Sequence, residues 1–200
     1  MYLSKLTISS PGKVIRDIEF HKGLNLIVDE TPENTTGTGN NVGKTTVLRL
    51  IDYCLGGDVD GIYRNPEDKH ESYALVKDFL TGNNVIVTLI LVDDLDTPSK
   101  KVVIERDFKT GRSSLIRING KDVTKKDFVA ELESAIFPEV KTEMPSFRQI
   151  IAHNIRIDNL RLENTLKTLT MGKNEEYEAL YLFMFGCPND SAARKTQLSQ

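Results

Sequence analysis

The stretch Thr36-Gly37-Thr38-Gly39-Asn40-Asn41-Val42-Gly43-Lys44-Thr45-Thr46 constrains this chain more than any other. A short apolar run, Leu24 to Val28, precedes it and reads as a buried strand. Asp29 to Asn41 is polar and rich in Thr, Asn and Gly, so it is expected to be loop. From Thr45 to Leu55, Val47, Leu48, Leu50, Ile51, Cys54 and Leu55 carry helical spacing, and Gly56-Gly57 stops the helix. A small-residue loop between a strand and a helix has a specific physical use. Successive backbone N–H groups can turn inward around an anion. The helix N-terminus aims free donors and partial positive charge at the same point. A Lys reaches the β and γ phosphates of a nucleotide, and the adjacent hydroxyl ligates Mg²⁺.

These parts map onto single residues. Gly43 permits close approach, Lys44 supplies the charge and Thr45 the metal ligand. The expected phosphate cradle is Asn40, Asn41, Val42, Gly43, Lys44, Thr45 and Thr46, with Lys44 also the candidate catalytic cation. The stretch departs from the usual pattern twice. Thr38 stands where Gly is expected six positions before the Lys, with Gly37 and Gly39 on either side. The strand also ends well before the motif, so Asp29 to Thr36 is expected to form a lip over the nucleotide or a disordered excursion. A Gly/Thr-rich loop that only caps a helix is the structural alternative. Gly-Lys-Thr-Thr at a strand-to-helix junction argues against it.

The remaining segments place this motif within an α/β chain. Tyr2 to Ile8 and Val14 to Phe20 read as an antiparallel pair about the Pro11-Gly12 turn. Val85 to Val92, Lys101 to Phe108 and Leu115 to Ile118 read as a β-meander, with Asn119-Gly120 as a hairpin turn. Thr124 is expected to cap a helix from Lys125 to Ile136. Phe147 to about Leu169 is partly helical in expectation, and Glu175 to Phe185 reads as a buried helix. Asp190 to Gln200 is polar with helical propensity. Residues 58–83 give no clear pattern.

Composition excludes several classes. Across 200 residues, 39% are hydrophobic and 28% charged, enough for a core and a charged surface. A formal net charge of -3 gives no overall basic field for a polyanion. DNA as a partner therefore has no support from net charge and would need a local patch. The two cysteines, Cys54 and Cys187, fit neither a disulfide framework nor a metal site and suit a reducing cytoplasm. The three histidines have no ligand spacing. No signal peptide or membrane-spanning run is read from the sequence, so no membrane association is expected.

With these residues in view, the chain resembles the head domains of SMC, RecF and RecN-type ATPases. The resemblance rests on Gly23-Leu24-Asn25-Leu26-Ile27-Val28 and on Asn40-x-x-Gly43-Lys44-Thr45-Thr46-Val47-Leu48-Arg49-Leu50-Ile51. The family pattern has Gly where Asn41 stands. Ile51-Asp52-Tyr53-Cys54-Leu55-Gly56-Gly57 most resembles the bacterial YydD-type branch. The resemblance is specific only over about residues 23–57. It implies a P-loop NTPase fold, the N-terminal lobe of an ABC-type head, with ATP and Mg²⁺ as cofactors. The meander is similar to the β-lobe inserted in such heads. Ser146-Phe147-Arg148-Gln149 resembles their Q-loop entry, which makes Gln149 the candidate second metal ligand and γ-phosphate sensor. The alternative is a surface Gln on a helix.

The same resemblance implies what lies elsewhere. No Leu-Ser-Gly-Gly signature occurs in these residues. The expectation is an N-terminal half that binds nucleotide and is completed for hydrolysis by its own C-terminal half or a second copy, head to head. Asp190 to Gln200 would then begin a coiled coil. Accessory subunits of a multi-component system are further expected partners, and DNA maintenance or anti-phage defence the expected setting. Two alternatives stay open. Ile90-Leu91-Val92-Asp93-Asp94 fits a Walker B pattern, which would make the chain a self-contained P-loop enzyme. Its continuation through Pro98 into another strand reads instead as a hairpin, without the crossover helix of a parallel sheet. The chain could also be a nucleotide-gated interaction module that does not hydrolyse.

Overall fold

The computed structural model describes residues 1–28, 43–63, 73–138, 144–157, 159–169 and 172–187. The chain divides after Ile136 into two compact units. The first holds a six-stranded sheet. Its strands are β1 (Tyr2–Ser10), β2 (Lys13–Glu19), β3 (Ile86–Val92), β4 (Lys101–Asp107), β5 (Ile116–Ile118) and β6 (Lys121–Asp122). Their order is β2-β1-β3-β4-β5-β6, and every pairing is antiparallel. The sequence suggested a strand pair and a separate meander. The structure joins them, because β1 pairs with β2 on one edge and β3 on the other. The described architecture is thus mixed α/β with one antiparallel sheet.

Register explains which side is core. Leu6, Leu89, Ile104 and Ile118 lie opposite one another across four strands, and all are buried. One pleat away, on the other face, Thr7, Thr88, Glu105 and Arg117 form a polar row. Alternation at period two sorts apolar from polar side chains onto opposite faces. Asn119 (φ 52) and Gly120 (φ 78) turn β5 into β6, both in the left-handed region that a tight hairpin of this kind requires.

Helices α1 (Lys44–Cys54), α2 (Asp60–Tyr63), α3 (Ala74–Gly82) and α4 (Phe128–Ile136) complete this unit. α1 buries Leu50, Ile51, Tyr53 and Cys54. Gly56 (φ 91) follows it, and Gly57 comes so close that an added Cβ would lie 2.2 Å from an Asp52 carboxylate oxygen. Three readings need correction here. Leu24 to Val28 is neither strand nor buried: Leu24 is 83% exposed, Leu26 71% and Val28 62%. An apolar run becomes a buried strand only where a neighbour pairs with it, and none of the described strands does. Second, α4 starts at Phe128, not Lys125. Asp127 N–H bonds back to the Thr124 carbonyl and hydroxyl, closing a tight i→i+3 turn before α-helical bonding begins at the Asp127 carbonyl. The third correction, to the last helix, belongs to the second unit.

That unit contains α5 (Phe147–Asn154), α6 (Asn159–Glu163) and α7 (Asn174–Met184). Phe137 meets Phe147 and Phe183 edge-on, with ring centroids 6.1 and 5.5 Å apart. His153 is buried and shares a 2.6 Å hydrogen bond with Thr168. The Tyr177 hydroxyl donates to the Leu169 carbonyl and accepts from the Leu169 N–H. α7 is less buried than its composition suggested. Tyr177, Ala179 and Leu180 face inward, whereas Met184 and Phe185 are exposed. Residues 29–36, for which a lip was expected, and 190–200, for which the start of a coiled coil was expected, lie outside the described residues.

Candidate functional site

The site begins at Gly43. It is the N-cap of α1 with φ 73 and ψ 21, a left-handed conformation that costs side-chain-bearing residues and that Gly adopts freely. A Cβ there would touch Thr46 at only 3.8 Å, so the requirement is conformational and not spatial. No side chain caps α1, and its first turn holds no acidic residue. The Val47 N–H bonds the Gly43 carbonyl at 3.2 Å. The N–H groups of Lys44, Thr45 and Thr46 therefore head the helix with no intrahelical acceptor, at the positive end of its dipole. Thr45 and Thr46 are exposed. The structure thus brings Gly43, Lys44, Thr45 and Thr46 into one turn. Asn40, Asn41 and Val42 lie outside the described residues.

One flank of α1 is open. Val47, Leu48 and Ile51 line an apolar cavity of about 490 Å³ together with Tyr2, Ile27 and Leu95. Leu95 is the tip of the β3–β4 hairpin. That tip is tied to the 20–28 segment by Lys22, which pairs with Asp96 and lies 3.9 Å from Asp94. Leu24, Leu26 and Val28 of the same segment are exposed, whereas Gly23, Asn25 and Ile27 line the cavity.

The other end of α1 is closed. Tyr53 stacks on Phe108 with centroids 5.4 Å apart, and its hydroxyl donates to the Asp107 carbonyl. Burial pushes both the Tyr53 hydroxyl and the Cys54 thiol up to about 12. Cys54 is thus a thiol, not a nucleophilic thiolate, at neutral pH.

Asp93 and Asp94 sit in the β3–β4 turn. Asp93 accepts the backbone N–H groups of Asp94 (3.0 Å), Ser99 (2.9 Å) and Lys100 (2.9 Å), and the Ser99 hydroxyl. The Ser99 hydroxyl and these amides hold its carboxyl far below the usual carboxylate range. Asp94 accepts from Asp96 and Thr97 at 2.8 and 3.0 Å. β3 runs antiparallel into β4, so the crossover that a Walker B strand needs does not follow it.

Gln149 lies in the second unit, in the first turn of α5. Its amide oxygen accepts the Ser146 N–H at 2.9 Å, while the Ser146 hydroxyl accepts the Gln149 N–H at 3.3 Å. This is a capping box. It engages the same oxygen that the resemblance would turn toward a metal.

Sequence reasoning missed Arg106. It points inward on β4, in step with Val102 and Ile104. That alternation was the available signal, because a charged residue in a core register must have a dedicated set of partners. No protein-family model matches the sequence, and no curated protein matches it.

Proposed function

We propose that this chain is the nucleotide-binding lobe of an ABC-type ATPase of the SMC and RecN kind, with ATP and Mg²⁺ its ligands. The observation that carries the reading is the first turn of α1, opened by a left-handed Gly43 and followed by Lys44, Thr45 and Thr46. It offers uncapped amides, a lysine and an exposed hydroxyl at one helix end, which is what a polyphosphate needs. Among the described residues no group of three or more His, Cys, Asp or Glu is arranged for a metal. Thr45 fits a Mg²⁺ that takes most of its remaining ligands from phosphate and water. The metal would neutralise developing charge at the phosphates. Lys44 would do the same at the β/γ position, and the amides of Gly43 to Thr46 would hold the phosphates in place.

Hydrolysis, on this reading, waits for a complementary half, supplied by the C-terminal part of the same head or by a second copy. The exposed run from Leu24 to Val28 supports this, since four of its apolar side chains, Leu24, Leu26, Ile27 and Val28, are left exposed in the described lobe. The setting proposed is DNA maintenance or anti-phage defence, with accessory subunits among the partners. The decisive experiment is a calorimetric titration of Mg·ATP into the parent chain and Lys44→Ala. The expected outcome is loss of binding with an unchanged circular dichroism spectrum. Retained affinity in the variant would contradict the proposal.

A second reading, a nucleotide-gated module that binds without hydrolysing, is favoured by the capping-box engagement of Gln149. Phosphate release after the complementary half is supplied separates the two. Binding without turnover identifies the module.

A further inference from the structure

Arg106 is a charged side chain built into the core of the first unit, only 7% exposed. A guanidinium is costly to bury unless its donors and faces are used, so its contacts indicate its purpose. One terminal nitrogen donates to the carbonyl oxygens of Tyr53 and of Gly57, the latter at 3.2 Å. The guanidinium carbon lies 3.7 Å from the Tyr53 ring centroid and 4.8 Å from that of Phe128. The next two residues of the chain grip the same turn: Asp107 through its carbonyl and the Tyr53 hydroxyl, Phe108 through its ring. Three consecutive residues therefore fasten the last turn of α1 to the sheet.

All of these contacts meet α1 at the end opposite Gly43. An eleven-residue helix is a stiff rod of roughly 16 Å, so anchoring its last turn sets the direction of its first. The cation also sits against C-terminal carbonyls, the favourable end of the helix dipole. Val47, Leu48 and Ile51, nearer the first turn, line the cavity described above. We propose that Arg106 is the positioning residue of the nucleotide site: from the far end of α1 it fixes the aim of the Lys44–Thr46 amides. The inference rests on the nucleotide-binding reading above.

Lys keeps the charge but has neither the planar fork nor the flat face, so Arg106→Lys separates geometry from charge. Mg·ATP affinity is measured by calorimetry for the parent chain, Arg106→Lys and Phe128→Leu. Hydrogen exchange is followed over residues 44–54 and 86–92 in the same proteins. Phe128→Leu, a change in α4 and not in α1, removes the second ring beside the guanidinium and covers the case in which Arg106→Lys fails to fold. The expected result for Arg106→Lys is an affinity loss of about tenfold, with faster exchange in α1 and none in β3. Phe128→Leu is expected to show the same selectivity at smaller amplitude. A merely structural role speeds exchange in both segments and leaves affinity unchanged well below the melting temperature. That pattern, or parental affinity in the variants, overturns the proposal. A parent chain that binds no Mg·ATP overturns the nucleotide reading itself and takes this inference with it.

Discussion

His153 shows how one buried side chain sets conditions for a whole unit. Its ring is buried, bonds Thr168 and meets Tyr181 edge-on at 5.6 Å. Burial first, and the nearby Arg156 second, push its pKa below the ordinary value. A base with a lowered folded pKa binds fewer protons folded than unfolded, so it favours folding at higher pH. Its contribution is complete above the unfolded value, about 6.5, and is lost as pH falls through the lowered folded value. Thermal melts between pH 8 and pH 5 should therefore show a stability loss below about pH 6.5 that His153→Gln removes. An identical acid slope in parent and variant would sink this assignment. At this scale the backbone of the turn that opens α1 was legible. Gly43 precedes the helix in a left-handed conformation and Lys44, Thr45 and Thr46 form its first turn, and local geometry of this kind is written in local sequence. Arg106 was harder, because its role depends on Tyr53 and Phe128, which only the fold brings to it.

Among the elements, the β3–β4 hairpin gives the sharpest test between readings. The Asp93 carboxylate organises the turn through the amides of Asp94, Ser99 and Lys100. Asp93→Ala is expected to lower the melting temperature by a few degrees while leaving Mg·ATP affinity at the parental value. Loss of nucleotide binding with an intact melt would instead favour the Walker B alternative. The held carboxylate also has an acid limit. Its stabilising effect is present above the unfolded value of about 3.9 and disappears as pH falls through the much lower folded one. The hairpins at Asn119-Gly120 and Pro11-Gly12 were readable because turn chemistry is local. Leu24 to Val28 was not, because burial of an apolar run depends on a partner the run does not encode. Gln149 lies between these cases. Ser146 three residues before it is a readable capping box, but the same spacing served equally well as a resemblance to a Q-loop.

Taken whole, the first unit has a covered face and an uncovered flank. The sheet buries Leu6, Leu89, Ile104 and Ile118, whereas Leu24, Leu26, Ile27 and Val28 stay exposed. Leu24 and Leu26, the most exposed of them, do little for the isolated lobe, so Leu24→Asp with Leu26→Asp should leave its melting temperature nearly unchanged. On the proposed reading, the pair should abolish association with the complementary half in analytical ultracentrifugation. Undiminished association would mean that the partner docks elsewhere. No helix among the described residues is long and apolar enough to cross a membrane. The placement of β1 has a consequence for synthesis. This strand occupies residues 2–10 but pairs with β3 at residues 86–92. Until the ribosome has delivered that later strand, β1 has only β2 beside it, and a two-stranded ribbon is marginal in water. The nascent chain thus carries Gly43 and the first turn of α1 out of the exit tunnel before the sheet that will support them exists, which makes the arrival of β3 the moment at which that helix acquires a foundation.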